Sequence, residues 1–287
     1  MSTERAVVVT GFNHQHFDLA EDMANSYRAA YGDRYTLAAA VYGKVEIPPH
    51  LRSKFDLVVD VSGLGPGFDE SLGYFFAYTG LKARLPDVFP GFSIYAWVDA
   101  DCWFQGNESL PRVLAGASQF EISIHPEYDI HYIHAPTPGD RTLKIYRQNE
   151  GRNIDAMPLR MPMLNAGVYG MRPESRVWKM WNAELIQLKL RHDRGETIYF
   201  SDQIPLHKLV YKQGIQFSPL RAVDNWLAVL CMPMLHKPTK CMRAPTPPHE
   251  MVGILHLAGR NIKNQIFQIG GDTTTLRYRD LLRLFEA

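Results

Sequence analysis

The first half of the chain changes its hydrophobic period repeatedly, and that alternation limits the folds open to it. A buried-strand pattern over residues 7–12 gives way to a helical one over 19–31, where Leu19, Met23 and Tyr27 share a face. Strand-like runs return at 35–42 and 55–61. A break at Gly63-Leu64-Gly65-Pro66-Gly67 leads to a helical pattern over 71–85, with Phe75, Tyr78, Leu81 and Leu85 on one side. Another strand follows and ends at Val98. Strands that alternate with helices in this way predict an α/β layered sheet with crossover helices. The second half is less regular. It offers strands at 120–124 and 163–169 and an amphipathic helix marked by Trp178, Trp181, Leu185 and Leu188. Ser201 starts another helix as N-cap, with Asp202 in the first turn. A long polar stretch, 125–161, is of the kind that is either functional or mobile. Residues 233–248 carry five prolines and read as an extended surface segment. No internal repeat or linker divides the chain.

At 287 residues the chain is long enough for a large core. Its 46% hydrophobic and 21% charged residues are ordinary for a globular protein, and a formal net charge of +1 gives no electrostatic argument for nucleic acid or a membrane surface. No apolar run approaches the roughly 20 residues that span a bilayer, so no transmembrane segment is expected. Residues 1–5 lead directly into a short strand and show no signal-peptide pattern. Cys102, Cys231 and Cys241 are widely spaced and odd in number, which favours free thiols in a reducing compartment. Asn107-Glu108-Ser109 matches a glycosylation triplet without a secretory context. A cytoplasmic location is the expectation.

The strand that closes the first half carries the chemistry. Ser93-Ile94-Tyr95-Ala96-Trp97-Val98 is apolar and aromatic, and it stops at Asp99-Ala100-Asp101. In extended backbone the i, i+2 spacing puts both carboxylates on one face. Pointed together into a crevice they repel, and a doubly charged cation relieves that repulsion. A hard cation held by two carboxylates keeps open positions for water and substrate phosphates. Alone, such a triplet is usually a solvated loop. Here it is followed in order by Asn165-Ala166-Gly167, Asp202-Gln203, His256-Leu257-Ala258-Gly259 and Lys263.

The order and spacing of these segments resemble the retaining glycosyltransferases of the glycogenin and bacterial lipooligosaccharide galactosyltransferase type, glycosyltransferase family 8. The resemblance runs over 6–263, of which the motifs are a small part. It implies a single GT-A domain over 1–287, with a mixed, mostly parallel sheet flanked by helices. Residues 1–104 would be the nucleotide-binding half and 105–287 the sugar and acceptor half. The implied reaction is metal-dependent transfer of a sugar from a nucleotide-sugar, a UDP-sugar by expectation, to a glycan, lipid or protein acceptor, with retention at the anomeric carbon. Asp99 and Asp101 would hold the metal and His256 would complete its protein ligands, a set that suits Mn²⁺ better than Mg²⁺. Lys263 would add positive charge at the leaving diphosphate. Thr10, Gly11 and Asn13 would receive base and ribose at the end of the first strand, and Lys82, Ala100 and Gly259 would contact the donor. Asn165 and Asp202 would face the transferred sugar, and Gln203 would steady the positive anomeric centre through its carbonyl oxygen. Ala166 and Gly167 are small enough to let the donor approach the backbone.

Plainer readings stand beside these. His256 also reads as a satisfied core histidine, Asp202 as a helix cap, Lys82 as a solvated helix lysine and 10–13 as an ordinary turn. Covalent and front-face routes to retention both stay open. The chain departs from the family at Trp97-Val98-Asp99, where Tyr-Leu-Asp is usual. It departs again at Leu257-Ala258-Gly259 and Lys263-Asn264-Gln265, where the family reads Phe-x-Gly and Lys-Pro-Trp. These departures bear on donor and subfamily rather than reaction class. In the long polar stretch, Tyr128, Asp129, Tyr132 and Tyr146 would suit stacking on sugar rings.

Other classes compete. The strand before Gly63, Gly65 and Gly67 resembles a dinucleotide-binding turn of a Rossmann-type oxidoreductase, but the third glycine is misplaced, Pro66 interrupts the turn and the strand is not the first. A sugar-nucleotide pyrophosphorylase would need a basic, glycine-rich loop where this chain has Gly11-Phe12-Asn13-His14. A non-catalytic or hydrolytic nucleotide-sugar-binding protein would keep the same site residues, and metal-dependent hydrolysis separates it from a silent binder.

Overall fold

The computed structural model describes residues 5–63, 79–132, 144–149, 161–198, 201–259, 261–269 and 272–286. The strands that position the site are, in chain order, β1 Ala6–Phe12, β2 Thr36–Val41, β3 Leu57–Asp60, β4 Ile94–Val98, β5 Cys102–Phe104, β6 Ile122–Pro126, β7 Leu164–Met171, β8 Phe217–Pro219, β9 Trp226–Leu227, β10 Met234–His236, β11 Cys241–Arg243 and β12 Ile254–His256. The longer helices are α1 Phe17–Tyr31, α2 Ser109–Gln119, α3 Val177–Asp193, α4 Gln203–Tyr211 and α5 Tyr278–Glu286. Among the described residues no helix is long and apolar enough to cross a membrane.

The main sheet has seven strands in the order β3-β2-β1-β4-β7-β6-β8. β7 is antiparallel to both neighbours, and every other pairing in the sheet is parallel. The chain moves outward from β1 through β2 and β3, then returns to the other side of β1 as β4. The carboxyl ends of β1 and β4 therefore flank a topological switch point, where open α/β sheets bind ligands. Because β7 runs the opposite way, its first residues reach the same edge, and the Gly167 carbonyl accepts from the Asp99 N–H at 2.8 Å.

The central strands are covered on both faces, so they read as continuous apolar runs. Val7, Val9, Tyr95 and Trp97 join Trp178 and Trp181 of α3 in one core cluster, while Val8, Ala96 and Val98 pack with Met23 and Tyr27 of α1 in another. A second, three-stranded sheet, β5-β12-β9, covers a third cluster around Trp103, Trp226, Leu255 and Leu281. In it His256 lies directly opposite Cys102. The C-terminal segment is tied to α1 through buried Asp22, which takes Arg277 at 2.8 Å and Arg279 at 2.6 Å.

The α/β architecture is the one the sequence leads to expect, with local differences. β4 ends at Val98, and 99–101 form the turn into β5, closed by the Cys102 N–H on the Asp99 carbonyl at 3.0 Å. The turn, rather than the pleat of a strand, brings the two carboxylates together. The proline-rich segment is not simply extended: β10 and β11 pair as a hairpin, with Met242 fully buried. Gly63, where the glycine run begins, follows β3, the edge strand rather than the first strand of the sheet, and Gly65 and Gly67 lie outside the described residues. Of the helix expected over 71–85, residues 71–78 lie outside the described residues and 79–82 are helical.

Candidate active site

The β4–β5 turn gathers an acidic centre with two lysines. The Trp97 indole N–H donates to Asp99 Oδ1 at 2.6 Å, and Lys82 Nζ lies 2.9 Å from the same oxygen. Lys82 also reaches Asp202 Oδ2 at 2.9 Å, joining the β4 end to the start of α4. It is buried, its ammonium lies 5.4 Å from the Trp97 ring centroid, and its own carbonyl accepts from the Tyr169 hydroxyl. Burial alone would depress this ammonium, but the Asp202 and Asp99 carboxylates outweigh it and hold Lys82 above the ordinary lysine value. Asp101 pairs with Lys263 Nζ at 2.7 Å, and its other oxygen lies 3.4 Å from His256 Nε2. Burial would raise the Asp101 carboxyl, but His256 and Lys263 hold it well below the usual carboxylate range. Burial pushes the neighbouring Cys102 thiol well up, and it meets Asp101 and His256 with ligand atoms all within 4.8 Å of one another.

Both carboxylates of the turn converge on His256 Nε2, since Asp99 Oδ2 lies 3.8 Å from it. The hydrogen bonds behind the ring set its polarity. The Gly167 N–H donates to Asn165 Oδ1 at 3.0 Å, and Asn225 Nδ2 donates to the same oxygen at 3.0 Å. Asn225 therefore turns its carbonyl oxygen to His256 Nδ1, also at 3.0 Å, so Nδ1 carries a hydrogen and Nε2 faces the carboxylates. A Cβ at Gly167 would fall 2.1 Å from His256 Cε1, so the absent side chain at 167 is what admits the imidazole. Asn165 Nδ2 in turn donates to Glu127 Oε1 at 3.0 Å, and Gln203 Nε2 donates to that oxygen at 3.1 Å. At the start of α4, Ser201 Oγ takes the Gln203 N–H at 3.2 Å, whereas Asp202 makes no capping hydrogen bond. The Asp202 carboxylate is spent on Lys82 instead, which sets aside the cap reading.

Two adjoining cavities open on these groups. One, about 260 Å³, lies on the β1 side and is lined by Gly11, His16, Thr79 and Lys263. The other, about 290 Å³, lies on the β7 side and is lined by Glu127, Asn165, Gln203, Leu230 and His256. Lys82, Asp99, Asp101 and Asp202 line both.

No protein-family model and no curated protein matches the sequence. Solved structures match the fold. Mouse xyloside xylosyltransferase 1 aligns with a TM-score of 0.53 at 13% identity, over 88% of this chain and 97% of that one. The galactosyltransferase LgtC, solved with donor and acceptor sugar analogues, aligns with a TM-score of 0.55 at 12% identity, over 88% of this chain and 87% of that one. GlyE of Streptococcus pneumoniae TIGR4 gives a TM-score of 0.50 at 16% identity over 90% of this chain, which spans 55% of GlyE. The fold is that of a GT-A glycosyltransferase.

Set on that fold, Gly11, Ala100 and Lys263 line the β1-side cavity, and Asn165, Ala166, Gly167, Gln203, His256 and Gly259 the β7-side one. Thr10 and Asn13 are buried at the end of β1. Thr10 Oγ1 and Asn13 Nδ2 have no hydrogen-bond partner among the described residues. Tyr132 and Tyr146 are core residues: the Leu227 N–H donates to the Tyr132 hydroxyl at 3.0 Å, and the Tyr146 hydroxyl lies 2.7 Å from His207 Nδ1. Neither presents a ring to a sugar. Asp129 accepts from the His131 N–H at 3.1 Å, while Tyr128 is 77% exposed. Sequence reasoning missed Glu127, His16 and Asn225. Glu127 and His16 stand just past the carboxyl ends of β6 and β1, where the sheet rule directs attention. Burial and the Lys263 ammonium push His16 down. Nothing in the sequence singles out Asn225.

Proposed function

We propose that this chain is a glycosyltransferase of the family 8 type. It moves a sugar from a nucleoside-diphosphate donor, with uracil as the base, to a hydroxyl acceptor with retention and the aid of Mn²⁺. The observation that carries the reading is the convergence of Asp99, Asp101 and His256 Nε2 at the switch point of a glycosyltransferase fold. Two carboxylate oxygens converge on a ring nitrogen that, with a hydrogen held at Nδ1, can give its lone pair to a cation. A divalent cation stabilises such a set, and its mixed oxygen and nitrogen character suits Mn²⁺. Asp99, Asp101 and His256 would hold the ion, which when bound supplies positive charge against a departing diphosphate.

The chain's own residues do the rest. Lys263 and Lys82 add fixed positive charge beside the same place. Gly11 faces the place for base and ribose, with Thr10 and Asn13 buried behind it, and Ala100 and Gly259 lie along the donor. Asp202 bonds sugar hydroxyls, Gln203 turns its carbonyl oxygen to the anomeric carbon, and Asn165 with Ala166 and Gly167 forms the floor beneath the sugar. The three free thiols support a reducing, cytoplasmic setting. Thermal unfolding with UDP, UDP-glucose, UDP-galactose and UDP-xylose, in Mn²⁺ and in excess chelator, tests this. Stabilisation is expected only with the metal, and amounts to about 2.7 kcal/mol at 100 times Kd. Equal stabilisation in chelator would sink the metal site. Release of UDP from a sugar nucleotide separates an enzyme from a silent binder.

A further inference from the structure

We propose that Glu127 is a positioning residue that orients the Gln203 amide, forcing its carbonyl oxygen into the β7-side cavity. What the carbonyl faces there rests on the glycosyltransferase reading; the clamp itself rests on the hydrogen bonds. Glu127 follows β6 directly, and its N–H donates to the Met163 carbonyl at 2.7 Å, so its backbone is gripped from the start of β7. The β6–β7 register shifts between Ile124 and His125, and such a bulge re-aims the side chains beyond it. The re-aimed carboxylate lines the cavity.

A carboxylate only accepts hydrogen bonds, while an amide has a donating and an accepting end. Glu127 Oε1 takes Gln203 Nε2 at 3.1 Å and Asn165 Nδ2 at 3.0 Å. A reversed Gln203 would set its oxygen against Oε1, lone pair to lone pair. The Gln203 oxygen is thus driven to the opposite side. Asn165 depends on Glu127 far less, because the Gly167 N–H holds its other end. Loss of Glu127 should therefore release Gln203 yet leave Asn165, Asn225 and His256 as they are. The carboxylate sets the direction of the Gln203 amide without bonding to Asp99, Asp101 or His256.

The test compares Glu127→Ala and Glu127→Gln with wild type, first by nuclear magnetic resonance of ¹⁵N-labelled protein. The Gln203 side-chain amide is assigned by its disappearance in Gln203→Leu. In Glu127→Ala it should move to the position of solvent-exposed glutamines while the Asn225 amide stays in place. In Glu127→Gln, which keeps an accepting carbonyl, it should stay near its wild-type position. The second readout is UDP release from UDP-glucose, UDP-galactose and UDP-xylose in Mn²⁺. Glu127→Ala should lower kcat about 100-fold, the scale of a misplaced reacting group, with UDP affinity unchanged. Glu127→Gln should recover much of that loss. Glu127→Ala/Gln203→Leu should be no slower than Gln203→Leu alone, because one residue acts through the other. An unmoved Gln203 amide, UDP affinity falling in step with kcat, or losses that multiply in the double variant would each overturn the proposal. If wild type releases no UDP from any of the three donors, the glycosyltransferase reading fails and the amide spectrum alone decides the clamp.

Discussion

The two cavities share four residues and are furnished on opposite principles. In the wall they share, and at Lys263 on its β1 side, each lysine is answered by carboxylates, Lys82 by Asp99 and Asp202, and Lys263 by Asp101. On the β7 side the groups are amides, Asn165, Gln203 and Asn225, chained through directional hydrogen bonds to Glu127 and His256. Ion pairs are exchangeable: an arriving phosphate can replace a carboxylate beside a lysine, and an arriving cation can replace a lysine beside a carboxylate. Amide chains resist exchange because each link fixes which end of the next group faces where. The shared wall is suited to a charged ligand, and the amides beyond it on the β7 side to a neutral group read by direction.

The largest expected effect strikes the shared wall. Lys82→Met leaves Asp99 and Asp202 facing each other without the ammonium. Unfolding in urea should show a loss of about 3–5 kcal/mol, toward the lower end because the Asp99 side chain keeps 27% exposure. Asp202→Asn added to that variant should restore part of the loss, and no recovery would mean the lysine acts chiefly through packing.

Next comes the division of labour. Asp202→Asn should lower sugar transfer on the order of 10²–10³-fold with UDP affinity unchanged, whereas Asp101→Asn should weaken UDP binding in Mn²⁺. Equal binding losses in both variants would break the division of labour between the two carboxylates.

Gly167→Ala should cost about 1–3 kcal/mol by overpacking, since the new methyl meets the His256 ring. His256→Ala in the same chain should recover stability without recovering Mn²⁺ binding. Additive destabilisation would place the strain elsewhere.

The smallest effect is electrostatic. The folded Asp101 carboxyl titrates below its unfolded value, so its pairing adds stability that is complete above the ordinary aspartate value. That contribution drains away as pH falls below about 5. In chelator, the stability gap between wild type and Asp101→Asn should be widest near neutrality and should close on acidification. A gap that widens in acid would contradict the sign.

Much of this was legible in the chain. β1, β4 and α1 announce themselves because burial on two faces or one stripe leaves a period in the residues. Asp99, Asp101, Asn165, Asp202 and His256 could be picked out because their types and order match a known pattern, and all of them line the cavities. The geometry joining Asp99 to Asp101 was not legible, since the same spacing serves a pleat or a turn. Glu127 and Asn225 were silent for a different reason. Their importance lies in hydrogen bonds to residues far along the chain, and a lone Glu or Asn carries no mark of such partners. Tyr132 and Tyr146 misled because an aromatic in a polar stretch looks the same whether it points out or in.

The missing side chain at 167 has a consequence for descent. The contact ties positions 167 and 256: with the histidine in place a side chain at 167 has no room, and with the histidine gone that constraint lifts. Among chains of this fold, bulk at the first position should therefore mark those that have abandoned the imidazole, and the pair can be scored in a genome before any protein is made.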